Sequence, residues 1–446
     1  MAVIGAGSSG LVSLRCLSQE DLDVSCFEQG YDLGGLWVFN NSNGRGGAYR
    51  SLHINTSRRQ MQFSDFAMPE TIGEFPHHTH IAQYLSDYAS HFGLQKYIHF
   101  GHLVERCIPL SQGGYRLEFA GGRPPQCFDA VVVCNGHHFS PLWPDTSTTA
   151  EFSGLISHSY HYKSTTEPID LRGLRVLVVG MGNSAMDIAC ELSRQGAAGS
   201  VMVSARRGAW VLPKFLRGRP IDGPATFPQW LPGRWRRQLV TRSFEFIYGK
   251  MTDFDLPAPD HLIGEAHPTI STEFPALVKS GDIVMKPGFT LARGGQAFFS
   301  DGSAVDADAI IFCTGYRVEF PFFDHDHLNA KDNAFPLFFR TFHAQNRHVF
   351  FVGLLQTIGA VMPVAEAQAR AIALHLSGKY NLPSEAEMQS NINQHEQQMA
   401  RRFVPSLRHT MQVVPEQFHP SLRRELERGA KRARTGRGIA FPGDQP

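Results

Sequence analysis

Long apolar runs, clustered cysteines and an excess of charge of either sign are all missing from this chain of 446 residues. A membrane span needs about twenty consecutive apolar residues. The most apolar stretch, 349–365, is broken by Gln356, Thr357, Gly359 and Pro363, so it reads as a strand, a turn and the start of a helix rather than as a span. No signal peptide is expected either, because the chain enters its first strand at once. The seven cysteines (Cys16, Cys26, Cys107, Cys127, Cys134, Cys190 and Cys313) form no Cys-x-x-Cys and no zinc spacing. That argues against a zinc module and a dithiol redox centre, and leaves reduced thiols buried as small hydrophobes in a cytoplasmic protein. Lys and Arg number 42 against 41 Asp and Glu, a net charge of +1, so a general polyanion surface and a nucleic-acid partner are not expected. The basic run near the end (Arg423, Arg424, Arg428, Lys431, Arg432, Arg434, Arg437) reads as a solvated helix with a frayed tail.

What is present begins with 42% hydrophobic and 19% charged residues, a globular composition on a chain long enough for two or more domains. A glycine fingerprint occurs twice. The first is Val3-Ile4-Gly5-Ala6-Gly7-Ser8-Ser9-Gly10, with Val24-Ser25-Cys26-Phe27-Glu28 as the following strand. The second is Val178-Val179-Gly180-Met181-Gly182-Asn183-Ser184-Ala185, with Asp187 on the helix it opens read as a further cofactor-binding residue and Val201-Met202-Val203-Ser204-Ala205-Arg206-Arg207 as the next strand. In such a unit the first glycine turns the chain after a strand and the second lets backbone approach a pyrophosphate. The third small residue lets the helix pack on the strand. The pyrophosphate lies against the free N–H groups of the helix N-terminus. An acid ending the second strand, here Glu28, accepts from a ribose 2′-hydroxyl, whereas Arg206 and Arg207 suit a 2′-phosphate. The two copies therefore differ in nucleotide, and FAD with NADPH is the pair they predict. The first strand is short, since only Ala2, Val3 and Ile4 precede Gly5 where about five residues are usual, and a start a few residues upstream is expected.

A second internal echo sets the architecture. Asp129-Ala-Val-Val-Val-Cys134-Asn-Gly136 recurs as Asp308-Ala-Ile-Ile-Phe-Cys313-Thr-Gly315, at nearly the separation of the two glycine turns. Each copy reads as a buried parallel strand ending in a small-residue turn. The expected fold is α/β with two Rossmann-like dinucleotide-binding domains, the NADPH domain inserted into the FAD domain. The FAD domain is expected over 1–155 and 300–446 and the NADPH domain over 156–299. The Pro-, Gly- and Trp-rich stretch at about 213–259 is too long for an ordinary connection and reads as an insertion with one helix at about 237–248. Pro363 stands early in a helix expected to end near residue 376. His77, His78 and His80 lack a partner motif for metal binding and read as a solvated loop before a helix at Ile81.

Three further motifs carry a resemblance. Phe152-x-Gly154-x-x-x-His158-x-x-x-Tyr162 matches every defined position of the fingerprint of the flavin-containing monooxygenases, which the chain resembles from Ala2 to about residue 376. Gly34-Gly35-Leu36-Trp37 and Asn55-Thr56-Ser57 are similar to flavin-side segments of that family, and Phe312-Cys313-Thr314-Gly315-Tyr316 to its second strand turn, with Cys where Ala is more usual. Baeyer–Villiger relatives end the long fingerprint in Trp followed by Pro or Asp. Here Tyr162 is followed by Lys163, which favours oxygenation of a heteroatom. Unlike the membrane-bound animal members, the chain is expected to lack an apolar C-terminal anchor.

The resemblance implies that NADPH reduces the flavin and that O₂ is captured as a C4a-hydroperoxyflavin. A nitrogen or sulfur of a small soft nucleophile, an amine or a sulfide, then takes one oxygen atom. No catalytic triad is needed. Asn55 is the candidate catalytic residue, because an amide offers donor and acceptor without a titrating proton; a turn cap before Thr56 and Ser57 is the plainer alternative. The family match also assigns Gly35, Leu36, Trp37, Thr56 and Gln356 to the flavin, and His158 is read as structural. Three alternatives stay open or weakened. Baeyer–Villiger oxygenation of ketones shares the cofactors, a disulfide reductase lacks its cysteine pair, and a non-catalytic flavin redox sensor leaves the NADPH site unexplained. A homodimer is compatible with the sequence but not indicated by it.

Overall fold

The computed structural model describes residues 1–223, 233–406 and 409–442, and they divide into two compact units. The first comprises residues 1–46, 58–140 and 317–446, and the second 47–57 and 141–316.

The first unit is built on a five-stranded parallel sheet. β1 (Ala2–Ile4) leads into α1 (Ser8–Gln19), and β2 (Ser25–Phe27), β3 (Ile98–His99) and β4 (Val131–Val133) follow. β1 lies between β2 and β4, with Val3 opposite Cys26 on one side and Val132 on the other. The strand Val349–Phe351 completes the sheet beyond β4. β1, β4 and the Val349–Phe351 strand are buried at every position, as parallel strands covered on both faces must be. An antiparallel meander of Val104–Pro109, Tyr115–Phe119 and Gln126–Phe128 precedes β4.

The second unit repeats this plan. β5 (Leu155–His158), β6 (Arg175–Val179), β7 (Ser200–Ser204), β8 (Ile283–Lys286) and β9 (Ala309–Phe312) form a parallel sheet in the order β5-β9-β6-β7-β8. α2 (Asn183–Leu192) follows β6, and the antiparallel strands Phe289–Gly294, Gln296–Phe299 and Ala304–Asp306 precede β9. The echo seen in the sequence as two short strands is therefore the end of a longer echo, meander then strand, in each unit.

Three boundaries differ from the sequence reading, and the first is that the chain leaves the first unit after Ser140, not near 155. The first unit resumes at Arg317, not near 300, because β9 pairs with β6 (Ile311 opposite Val178) and belongs to the second sheet. The segment 47–57 lies in the second unit although residues on both sides of it lie in the first. Within 213–259, a hairpin of Phe215–Leu216 and Arg219–Pro220 and a helix over Gly233–Tyr248 are present, with Phe244 buried in the second unit's core. Residues 224–232 of that insertion lie outside the described residues. The expected loop at His77–His80 is instead the start of the helix His78–His91, with His77 as its cap and His78 buried. The helix predicted from Pro363 to about Leu376 is found over Met362–Leu376, with Pro363 in its first turn. The basic C-terminal run up to Arg434 lies on the helix Pro415–Arg434, which buries Phe418, Leu422 and Gly429 and is solvated on one side only. Arg437 beyond it is not frayed, because its N–H donates to Arg432 O at 2.9 Å and its carbonyl accepts from Asn381 Nδ2 at 2.8 Å. Among the described residues no helix is long and apolar enough to cross a membrane.

The three glycines of the first fingerprint differ in what they exclude. A Cβ on Gly10 would stand 1.9 Å from the Gly5 carbonyl oxygen, and one on Gly7 would meet nothing nearer than the Gly35 Cα at 3.7 Å. Gly10→Ala is therefore expected to destabilise the flavin-free protein by about 3 kcal/mol, whereas Gly7→Ala should unfold with the parent in a urea titration.

Candidate dinucleotide sites

In the first unit the chain leaves β1 through Gly5, at φ +100°, where a Cβ would stand 2.7 Å from the Cys134 carbonyl oxygen. Gly5 N donates to Phe27 O at 2.9 Å and Cys134 N donates to Ile4 O at 2.9 Å, so the turn is locked to both neighbouring strands. Gly7 caps α1 with extended backbone and no side-chain hydrogen bond, leaving the first-turn donors of Ser8, Ser9 and Gly10 without a side-chain acceptor. The space beside Gly7 is not demanded by protein packing, which is what a ligand backbone contact would require.

Glu28, at the end of β2, is buried, and its carboxylate faces the same turn. Oε2 accepts from Ala6 N at 2.8 Å and Oε1 from Gly30 N at 2.9 Å, which leaves lone pairs for a further donor. Gly34 donates to Ala6 O at 3.1 Å, so the short 3₁₀ turn Gly35–Trp37 is tied to the glycine loop. Asn41 Nδ2 donates to Gly35 O, and His78 stands 3.3 Å from Trp37 O, fixing that turn from outside. Gly353, at φ +76°, approaches the α1 N-terminus so closely that a Cβ would stand 2.2 Å from Ser9 Oγ. Buried Gln368 accepts from its N–H at 3.0 Å. Gln356 lies three residues on, in a short strand paired with Gln412–Val413. No local signal in the chain singles out Gln368, whose partners are tertiary.

The second unit repeats the turn. Gly180, at φ +132°, would place a Cβ 2.6 Å from Cys313 O; its N–H donates to Ser204 O at 2.9 Å, and Cys313 N donates to Val179 O at 2.8 Å. Gly182 caps α2, again without a side-chain bond, and Ala185 is fully buried where the third small residue belongs. Asn183 Oδ1 accepts from Ile270 N at 2.7 Å, so its amide oxygen anchors a neighbouring strand, and Ser184 is half-buried beside it. The two arginines after β7 are not equivalent. Arg207 is paired with Asp260 at 2.8 Å, whereas exposed Arg206 has no ion-pair partner among the described residues and lies against Gly288.

Asn55 belongs to the second unit, as do Thr56 and Ser57. Its Oδ1 is buried and makes no hydrogen bond among the described residues, so it caps no turn. A buried amide oxygen without a donor is costly unless a partner arrives. Thr56 is buried, and Ser57 N donates to Asp222 Oδ2 at 2.7 Å. Asp187 carries a contact that the sequence did not suggest: the Tyr49 hydroxyl donates to its carboxylate. Burial raises the Asp187 carboxyl to about 6, opposed by the Tyr49 hydrogen bond and by Lys214, and reinforced by Glu191 and Glu273.

The long fingerprint has a structural explanation. Gly154 is required because a Cβ would stand 2.5 Å from Asp308 O and from the Phe152 ring. His158 ends β5 opposite Phe312, is fully buried, and accepts from Tyr160 N through Nδ1 at 3.1 Å. Burial lowers its pKa to about 4, so it is a neutral, space-filling imidazole at neutral pH. Tyr162 is buried with its ring 6.2 Å from that of Tyr49. All seven cysteines are free, and burial pushes the Cys134 and Cys313 thiols up to about 12, which leaves neither as a thiolate.

These features, two glycine turns with an acid at one and an arginine without an ion-pair partner among the described residues at the other, fit two dinucleotides. The flavin-binding monooxygenase-like family model matches residues 1–418. The chain is 37% identical over 431 residues to flavin-containing monooxygenase 5 of Oryctolagus cuniculus, covering 92% of this chain and 80% of the relative. It is 34% identical to dimethylaniline monooxygenase [N-oxide-forming] 2 of the same species, covering 97% and 83%. Its fold is similar to that of S-allyl-L-cysteine S-oxygenase from Allium sativum (TM-score 0.69, 24% identity, 98% and 93% covered). It is equally similar to that of a cyclohexanone monooxygenase (TM-score 0.70, 16% identity, 98% of each chain covered).

Because the folded protein raises the pKa of Asp187, its contribution to stability is present at low pH and is lost as pH rises through about 6. Asp187→Asn removes that loss. Thermal midpoints measured from pH 4 to 8 should show the variant gaining on the parent up to about pH 6, with a constant gap above pH 7.

Proposed function

The chain belongs to the flavin-binding monooxygenase-like family, which makes it a FAD-containing, NADPH-dependent monooxygenase, and we propose that it oxygenates nitrogen or sulfur in small soft nucleophiles such as amines and sulfides. When bound, the flavin carries two electrons from NADPH to O₂, so that one oxygen atom enters the substrate and the other leaves as water. The observation that carries the cofactor assignment is the contrast between Glu28, held beside the first glycine turn, and Arg206, beyond the second and without an ion-pair partner among the described residues.

On this reading Gly5, Ala6, Gly7 and the N–H groups of Ser8, Ser9 and Gly10 hold the FAD pyrophosphate, and Glu28 holds the ribose. Gly35, Leu36, Trp37, Thr56 and Gln356 contribute to the flavin environment. Gly180, Gly182, Asn183, Ser184 and Ala185 receive the NADPH pyrophosphate at the start of α2. Arg206 takes the 2′-phosphate, and Arg207 contributes less because Asp260 already neutralises it. Asn55 supplies the amide whose buried oxygen lacks a partner among the described residues, holding a donor on the ligand side without titrating. Two features support nitrogen or sulfur over a ketone carbonyl. The fingerprint ends in Tyr162-Lys163, and a relative sharing 34% of its residues is N-oxide-forming. The free, mostly buried cysteines support a cytoplasmic setting.

NADPH oxidation in air, with products identified for panels of amines, sulfides and ketones, tests the proposal; turnover confined to ketones would replace it with Baeyer–Villiger oxygenation. Arg206→Ala should raise KM for NADPH by about tenfold or more, the loss of one charge-assisted contact, with NADH use unchanged. Equal use of both coenzymes by the parent would refute the arginine's role. Asn55→Ala should bind FAD and accept electrons from NADPH normally while releasing most of its reducing equivalents as hydrogen peroxide. Peroxide and oxygenated product measured on the same sample decide this, and undisturbed coupling would remove Asn55 from the chemistry.

A further inference from the structure

The segment 47–57 is fastened to the second unit by side chains that the proposed chemistry does not use. Tyr49 and Ser51 lie in one turn, closed by Leu52 N donating to Tyr49 O at 3.0 Å. Both hydroxyls reach α2: Tyr49 donates to Asp187, and Ser51 donates to Glu191 Oε2 at 2.5 Å. Asp187 and Glu191 are one helical turn apart, so their carboxylates share a face of α2. On its other side the segment meets the end of the long fingerprint. Arg50 N donates to Lys163 O at 2.9 Å, and Lys163 Nζ donates to Ala48 O at 3.1 Å. The Arg50 guanidinium grips both Glu167 oxygens at 2.9 and 3.0 Å. Beyond Asn55, Ser57 N is held by Asp222. Asn55 thus sits between two fastened points.

A carboxylate at 187 is an expensive way to hold a tyrosine. Burial disfavours its charge, and Glu191 and Glu273 add to that penalty. An apolar side chain on this face would pack against the Tyr49 ring at lower cost. What the pair of acids adds is direction, because each hydroxyl must point at one oxygen. The helix they stand on is the one whose N-terminus faces the NADPH pyrophosphate.

We propose that Asp187 and Glu191 are positioning residues that, through Tyr49 and Ser51, clamp the 47–57 segment to α2, so that binding of the nicotinamide nucleotide at the start of α2 orders the segment that carries Asn55. This rests on the assignment of α2 to NADPH and of Asn55 to the oxygenation step. It moves Asp187 from direct nucleotide contact to a supporting place behind it.

Hydrogen exchange of the FAD-loaded enzyme, with and without NADP⁺, tests the clamp on Tyr49→Phe, which keeps the ring, and on Ser51→Ala. In the parent, NADP⁺ should slow exchange in peptides spanning 180–192 and also in 47–57. In either variant the protection at 180–192 should persist while that at 47–57 falls by about fivefold, as expected for one lost hydrogen bond, and the peroxide released per NADPH should rise. Unchanged protection of 47–57 in the variants, or its absence in the parent when 180–192 is protected, overturns the clamp. No protection at 180–192 in the parent overturns the nucleotide assignment and the clamp with it. Loss of protection at 47–57 with undisturbed coupling upholds the clamp and removes Asn55 from the chemistry. Ser51→Ala deletes a partly buried hydroxyl only, and it carries the test if Tyr49→Phe does not fold.

Discussion

Each proposed nucleotide site depends on a strand end that turns against the carbonyl of the strand beside it, a contact only glycine permits. Gly5 and Gly180 both sit at positive φ, both donate to the end of the next strand, and both leave less than 3 Å between a would-be Cβ and a carbonyl oxygen. The consequence is a helix that starts immediately beyond the sheet edge with its first N–H groups directed outward. Pyrophosphate binding needs no charged side chain in such a place. The turn is therefore a backbone device, and the side chains around it are free to select the nucleotide.

On the proposed reading, selection falls to side chains one or two residues beyond the second strand of each unit. Glu28 is held by two backbone donors, which orient an acceptor toward whatever occupies the turn. Arg206 offers a guanidinium that no described carboxylate has claimed, while its neighbour is spent on Asp260. The same logic makes the long fingerprint architectural. Gly154 clears a carbonyl, His158 fills space as a neutral ring, and Tyr162 packs on Tyr49. A motif that names a family can thus contain little of the chemistry and much of the scaffold that orients it.

Much of this was legible in the linear chain because the signals are local. A strand, a glycine turn and a helix follow one another within about twenty residues, so their order and spacing identify the unit before any packing is known. The acid after β2 and the arginines after β7 are equally local, and so are the turn and Pro363 that open the helix after Val361. The flavin-side roles of Asn55, Thr56 and Gln356 came from family resemblance, not from spacing.

Sequence alone determined the two nucleotide units, their chemical contrast and their order, since each follows from neighbours along the backbone. Tertiary structure decided what depends on distant partners. It gave the segment 47–57 to the second unit through α2 and the 163–167 turn, and gave β9 to the second sheet through its pairing with β6. It separated Arg206 from Arg207 by an aspartate fifty-three positions away, and it turned Asp187 toward Tyr49. The reason is the same in each case. A hydrogen bond or ion pair between remote residues leaves no periodicity in the sequence, and only the folded chain brings its two ends together.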